Sequence, residues 1–359
     1  MTASSGTVAP TTAQERVAVR RPGRRPRLGA ARYFVQRLGF YLAAAWIAVT
    51  LNFLLPRLMP GDPASALIAQ MQGRSALSGE QIASIYRLFG DPGEPLWSQY
   101  VTYLGQVAHL DFGLSVAFFP TPVWEVISAG LPWTIGLVGI TAVLSFVIGT
   151  AGGIMAGGRA GSRTDSVATP AAMFLNALPT FWIALLFVLV FGFQLAWLPT
   201  GGAYDGDLTP GFSAAFIGSV ISHAVLPALT IALGWSATWF IGMRNMMITT
   251  VSEDYVLLAR AKGLGRTRVM FRYAARNAIL PSVAGFAVNI GNVVGGQLLV
   301  EAVFAYPGVG YLLYQSVASV DYPLMQALFL MVSLSVLAAN FLADSVYGLI
   351  DPRAREGRA

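Results

Sequence analysis

Cysteine is absent from this chain. Its absence excludes disulfides, thiolate nucleophiles and thiolate metal sites, and leaves the redox compartment undetermined. Lysine occurs once, at Lys262, and follows Ala261. No Gly-Lys-Ser/Thr phosphate loop exists, so the chain is not itself an ATPase. The two histidines, His109 and His223, fit no short metal-ligand spacing. There is no His-Glu-x-x-His pair and no Gly-x-Ser-x-Gly elbow. Charge is scarce too: 11% of residues are charged and 55% are hydrophobic, where a soluble domain carries about 25% charged residues. Much of the surface therefore does not face water.

What is present is a series of long uncharged stretches. They run 19 residues from Arg37 to Arg57, 33 from Glu125 to Arg159, 39 from Asp165 to Asp205 and 36 from Asp207 to Arg244. Two more run 24 residues from Arg276 to Glu301 and 22 from Asp321 to Asp344. A helix needs about 20 apolar residues to cross the hydrocarbon core. The pattern predicts an all-α membrane protein with six transmembrane helices near 36–56, 132–157, 168–196, 223–245, 279–303 and 324–349. The 39-residue stretch is too short for two spans and a turn, so one continuous helix is expected there. The first apolar run is too long for a signal peptide and ends without a small-residue cleavage site.

The formal charge is +6, but its placement is more informative. Twenty of the 23 Lys and Arg residues lie in the N-terminal tail to Arg37, the loops 158–167 and 244–278, and the C-terminal tail. Only Arg57, Arg74 and Arg87 lie on the other side. Basic residues resist translocation, so both termini are expected in the cytoplasm. Residues 1–32 form a basic tail without apolar periodicity, expected to be disordered. Its arginines either set topology alone or also touch anionic lipid.

The segment 57–131 is expected to be an external helical insertion. Ser78-Gly-Glu-Gln81 has capping-box spacing, with Ile82, Ile85, Leu88 and Phe89 following at helical intervals. Pro95 opens a second helical pattern through Leu96, Val101, Leu104 and Val107. The loop 244–278 reads as a helix–turn–helix. A first helix ends at Gly263, which can take positive φ, and a basic stretch from Arg266 to Arg276 leads to Pro281. A rigid knob of this kind suits docking into a groove on another protein. An ordinary basic loop has the same composition.

That loop resembles the EAA loop of ABC importer permeases, in their dipeptide/oligopeptide/nickel branch. The resemblance is carried by Asp254-Tyr-Val, Ala259-Arg-Ala-Lys-Gly-Leu264 and Arg276-Asn-Ala-Ile-Leu-Pro281. It continues in Leu58-Met-Pro-Gly-Asp-Pro63, Asp111-Phe-Gly-Leu-Ser115, the run Glu301 to Gly310, Asp321-Tyr-Pro323 and Asp351-Pro-Arg353. It covers residues 33–355, the expected permease domain. The naming glutamate of the loop is absent. The stretches Trp239 to Asn245 and Tyr273 to Asn277 look similar to members that carry oligosaccharides.

The resemblance implies a non-enzymatic subunit in the inner membrane, forming half of a path for dipeptides or oligopeptides. Oligosaccharides are the alternative cargo. The implied partners are a second permease, two cytoplasmic ATPases and an external binding protein, with lipid around the chain and no nucleic acid. ATP and magnesium would be used by the ATPases, with no cofactor or metal here. Ala259, Arg260, Ala261, Lys262, Gly263 and Leu264 are the implied ATPase-coupling residues.

Polar residues inside the spans are path candidates. Gly285, Asn289, Asn292 and Gly296 recur at helical spacing and predict one face of the fifth span. That face either lines a pore or packs against other helices through hydrogen-bonded asparagines. Glu301 either gates the external mouth, or snorkels to the interface and bonds backbone amides. Asp344 is expected to partner a basic residue. An ion channel would need no docking loop. An intramembrane hydrolase would need a Ser–His dyad, for which His223 is available at the start of the fourth span. A polar residue at a membrane interface is the plainer reading of it.

Overall fold

A computed structural model describes residues 27–58, 63–72, 78–89 and 95–350. The motifs at 59–62 and 351–353 and the tail through residue 26 lie outside it. Among the described residues no β-strand forms, and one isolated bridge joins Leu114 to Pro122. Among the described residues five helices are long and apolar enough to cross a membrane, six if one bent helix pair counts as a single span.

The first helix, α1, spans Arg27–Leu58, so it starts inside the tail expected to lack structure. The short helices α2 (Pro63–Gln72), α3 (Gly79–Phe89) and α4 (Leu96–His109) follow. The Ser78–Gln81 capping box forms reciprocally: the Ser78 amide donates to Gln81 Oε1 at 2.8 Å and the Gln81 amide to Ser78 Oγ at 3.3 Å. Leu67 of α2 and Ile85 of α3 bury against Val116 in a small satellite core. Tyr100 packs edge-on and Tyr103 tilted against the Phe53 ring, fastening α4 to the end of α1.

The second span, α5, is continuous over Val123–Gly157. Pro132 lies inside it and is followed by a π-turn at Ile135–Gly139. Such a turn rearranges the backbone bonds that a proline disturbs. The third span differs from the expected continuous helix. It is two helices, α6 (Arg163–Ala177) and α7 (Thr180–Gln194), bent by 95°. The physical reason is Pro179: Leu178 before it is pushed to extended backbone, with ψ 132°.

The fourth span, α8 (Ala214–Val251), is capped by the Ser213 hydroxyl, which accepts from the Phe216 amide at 3.2 Å. A helix α9 (Asp254–Ala261) and a helical stretch α10 (266–278) form the expected helix–turn–helix. The fifth span is interrupted. Helix α11 (Leu280–Gly291) tightens to a 3-10 turn at Asn292–Gly295, breaks at Gly296 with φ +66°, and resumes as α12 (Leu298–Val303). The expected single face through Gly296 therefore fails, because a left-handed residue resets the helical phase. Helices α13 (Val309–Ala318) and α14 (Tyr322–Ile350) complete the described residues.

Three larger apolar cores join the helices. One joins the start of α5 to α13 and α14 through Ile127, Val309 and Leu328. One lies mid-span around Val138, Leu226 and Ile231. The third, around Met243 and Met247, supports the helix–turn–helix. Asp344 of α14 pairs with Arg37 of α1 and accepts from the Tyr41 hydroxyl at 2.6 Å, supplying the basic partner expected for it.

Candidate functional site

The helix–turn–helix is held from one side. Val256 and Ala259 of α9 are buried against Met243 and Met247 of α8. They lie three residues apart, on one helix face. The opposite face carries Leu257, 47% exposed, and Leu258, 57% exposed, beside Arg260, Ala261 and Lys262. Of the six residues singled out from sequence, Ala259 is thus inward and anchors the helix. Arg260, Ala261, Lys262 and Gly263 are exposed, and Leu264 is half-buried. The two exposed leucines carried no signal in sequence, since their face is decided only by how α9 docks on α8.

Gly263 has φ +75°. Its amide donates to Arg260 O at 2.9 Å, and the Leu264 amide to Ala259 O at 3.4 Å. These bonds make a Schellman-type ending in which a left-handed residue satisfies the last carbonyls of the helix. Leu264 then turns inward onto the third core.

Above this element, α5 and α8 approach as closely as two backbones allow. Gly149, Gly153 and Gly157 repeat every four residues and line one face of α5. A Cβ on Gly153 would lie 2.6 Å from Phe240 O and 2.9 Å from the Arg244 amide. One on Gly157 would lie 2.6 Å from Arg244 O. Small residues at this spacing let helices touch in a bilayer, where apolar burial gives no drive to associate. This set was readable in sequence from its spacing.

At the other end, two buried carboxylates organise the chain. Glu301 is fully buried. It accepts from the Thr134 hydroxyl at 3.0 Å, the Gly310 amide at 2.7 Å and the Tyr311 amide at 3.3 Å. The Val309 amide donates to Thr134 Oγ1 at 2.7 Å. Glu301 and Thr134 together hold the first turn of α13, where backbone amides are free to bind an anion. A Cβ at Gly308 would collide with both the Glu301 carboxylate and the Thr134 hydroxyl. This geometry explains the glycines of the 301–310 motif. It also places Glu301 inside the chain, bonded to backbone amides as the second expectation had it, but buried rather than snorkelling to an interface. Burial and, after it, the Glu301 carboxylate push the neighbouring Tyr306 hydroxyl up to about 12.

Asp321 is likewise fully buried. It accepts from the Ser115 hydroxyl, from the Ala117 amide at 3.0 Å and from the Leu324 amide at 3.1 Å. The 111–115 and 321–323 motifs, far apart in sequence, meet in this one site. Val320 just before it sits at φ +55°, a strained position for a β-branched residue.

Asn289 is half-buried with no hydrogen-bond partner among the described residues. The side chain of Asn292 lies outside the described set. His223 is buried, with Nδ1 2.8 Å from Ser219 O. The Ser219 hydroxyl donates to Asp205 at 2.6 Å. Its proton therefore goes to the carboxylate, while Nδ1 of His223 makes its shorter contact to main chain and Nε2 lies 3.8 Å from Asp205, so the serine donates to the acid and not to a base that would activate it.

Residues 149–356 match the family described as binding-protein-dependent transport system inner membrane component. The chain belongs to this family. The match takes in the three-glycine face of α5, the helix–turn–helix and both carboxylate anchors. The chain is 32% identical over 323 residues to the oligopeptide transport system permease protein AppB of Bacillus subtilis (strain 168), covering 90% of this chain and 99% of the relative. It is 30% identical over 339 residues to the di/tripeptide transport system permease protein DppB of Pseudomonas aeruginosa (strain UCBPP-PA14), covering 91% and 99%. It is 30% identical over 341 residues to the dipeptide transport system permease protein DppB of Escherichia coli (strain K12), covering 90% and 98%. As a member of an inner-membrane-component family with these apolar helices, it is a multi-pass membrane protein, and the relatives it matches are named as transport permeases.

Proposed function

We propose that this chain is the permease subunit of an ATP-driven peptide importer, forming half of the path for dipeptides or oligopeptides. The observation that carries this reading is full-length similarity to relatives named as peptide permeases, at 30–32% identity over 90% of the chain or more. Those names give the oligosaccharide alternative no support. A second permease completes the path, an external binding protein delivers the cargo, and two ATPases supply ATP and magnesium chemistry.

In this reading, loop 244–278 faces the cytoplasm and docks on an ATPase through the exposed face of α9. Supporting it are two exposed leucines beside Arg260 and Lys262, on a helix fixed from behind. Closure of the ATPases shifts the docking helix, and the packed pair α5–α8 carries the shift into the membrane. That is alternating access driven by differential binding to two states. The insertion 57–131 lies outside, and both termini lie inside. Asn289 is a path candidate in this reading, since a half-buried span amide with no partner among the described residues favours water, cargo or a partner helix over lipid.

The absence of cysteine makes the topology directly testable. A single cysteine at position 90 should react with an impermeant thiol reagent on intact cells, and one at position 265 should not. The opposite labelling pattern would refute the orientation. Cargo is tested separately. Calorimetry on the cognate binding protein should show heats of binding for short peptides and none for cello- or xylo-oligosaccharides. A sugar response without a peptide response would overturn the cargo and leave the permease family intact.

A further inference from the structure

The loop 158–162 and helix α6 carry no residue of the docking element, yet they are bolted to the helix that feeds it. Asp165 is 3% exposed in the first turn of α6. Its carboxylate accepts both Nε and Nη2 of Arg244 on α8, the latter at 2.9 Å. It also accepts from the Gly161 amide at 2.9 Å and the Thr169 hydroxyl at 2.8 Å. The Asp165 amide donates to Ser162 Oγ at 3.3 Å, completing the cap of α6.

Arg244 stands at a crossing. Its backbone faces Gly153 and Gly157 of α5 within contact distance. Its neighbours Met243 and Met247 carry Val256 and Ala259 of α9. Gly158, at the end of α5, sits against Met270 of α10. Helix α6 is no continuous strut, because its axis breaks by 95° before α7. Packing along its buried face is joined by polar ties to α8 at its two ends, Asp165 to Arg244 and Asn176 to Thr238, the latter at 2.7 Å.

We propose that the Asp165–Arg244 pair is the joint through which movement of the docking element reaches α6 and the broken third span. The pair is a positioning element and touches neither cargo nor ATP. The inference rests on the reading of 244–278 as the ATPase-docking loop. A two-pronged guanidinium–carboxylate contact fixes orientation as well as distance. Separating it would leave an uncompensated buried charge, so the two helices turn together. A rotation of α8 at Arg244 therefore swings the first turn of α6. Without the pair, the same rotation is absorbed in the short loop 158–162.

The test uses the complete transporter in proteoliposomes, with Asp165→Asn, Arg244→Gln and the double substitution. Asparagine keeps the backbone cap to Ser162 and one of the two carboxylate acceptors, and removes the charge. The readouts are co-purification with the ATPases, stimulation of ATP hydrolysis by loaded binding protein, and ATP consumed per peptide imported. Each single variant should co-purify. Stimulation should fall about tenfold, within the ~5–150-fold range of coupling between sites, and ATP consumed per peptide should rise. The double variant should be no worse than either single one, since both break one contact.

Normal stimulation in Asp165→Asn and Arg244→Gln would overturn the joint. So would a double variant whose loss is the product of the single losses. Loss of stimulation only in step with loss of assembly would reduce the pair to a folding contact. Gly263→Val is run in parallel. If it too couples normally, the docking reading has failed; if it uncouples while the pair variants do not, only the joint has.

Discussion

Replacing Gly153 by valine is expected to prevent stable folding of the transporter. A Cβ at this site would lie 2.6 Å from one backbone oxygen of α8, 2.8 Å from the Met243 Cβ and 2.9 Å from a backbone nitrogen. Two of those atoms belong to a helix backbone and cannot swing aside as a long side chain can. The helices must separate along their shared face, where Gly149 and Gly157 make equally close approaches. Overpacking of a tight core costs about 1–3 kcal/mol where side chains can adjust, and here they cannot. The expected readout is a large fall in melting temperature of the detergent-purified complex, or its failure to assemble. Gly242→Ala is the control. It lies on the partner helix α8 and meets nothing within 4 Å, so its effect should stay within about 0.5 kcal/mol. Equal stability of Gly153→Val and Gly242→Ala would contradict the close packing of α5 on α8.

The sequence made some of this architecture legible because the signals are local. Charge gaps marked the spans, since a buried charge in lipid is costly wherever it falls. The Ser78–Gln81 box and the Gly263 turn were readable because caps and left-handed turns depend on residues a few positions apart. The break at Pro179 had a local signal too, in the residue before a proline, but the uncharged length around it argued for one helix. What was hidden depends on which helix meets which. Asp321 and Ser115 are 206 positions apart and share one hydrogen bond. Glu301 looked like a residue of the membrane surface. Only the approach of Thr134 and α13 shows it to be an internal anchor. Ala259 and Leu257 are both apolar residues of α9, and nothing in their identity says that the first is inward and the second outward. Asp165 and Arg244 marked boundaries of uncharged stretches, and their pairing follows from the way α6 folds back on α8.

Gly263→Val should leave the chain inserted and assembled, yet abolish most of its transport. The position is exposed, and a Cβ there meets nothing within 4 Å, so no clash is introduced. The cost lies in the backbone. At φ +75° a β-branched residue is a genuine outlier. The left-handed conformation costs an ordinary residue about 1–2 kcal/mol. That is a factor of about 5–30 against the turn. The bonds from Gly263 to Arg260 and from Leu264 to Ala259 should loosen, and the exposed leucine face of α9 should lose its fixed angle to α10. Lys262→Ala should be milder, because a rim charge mainly adjusts association.

The decisive measurement is peptide uptake by proteoliposomes containing the complete transporter, unmodified and Gly263→Val, with ATP hydrolysis followed with and without loaded binding protein. Unmodified vesicles should import peptide, and loaded binding protein should accelerate their ATP hydrolysis. The variant should co-purify with its partners, import at a small fraction of that rate, and hydrolyse ATP without response to the binding protein. A Gly263→Val transporter that assembles, imports peptide and responds like the unmodified one would show that this loop is not the coupling element.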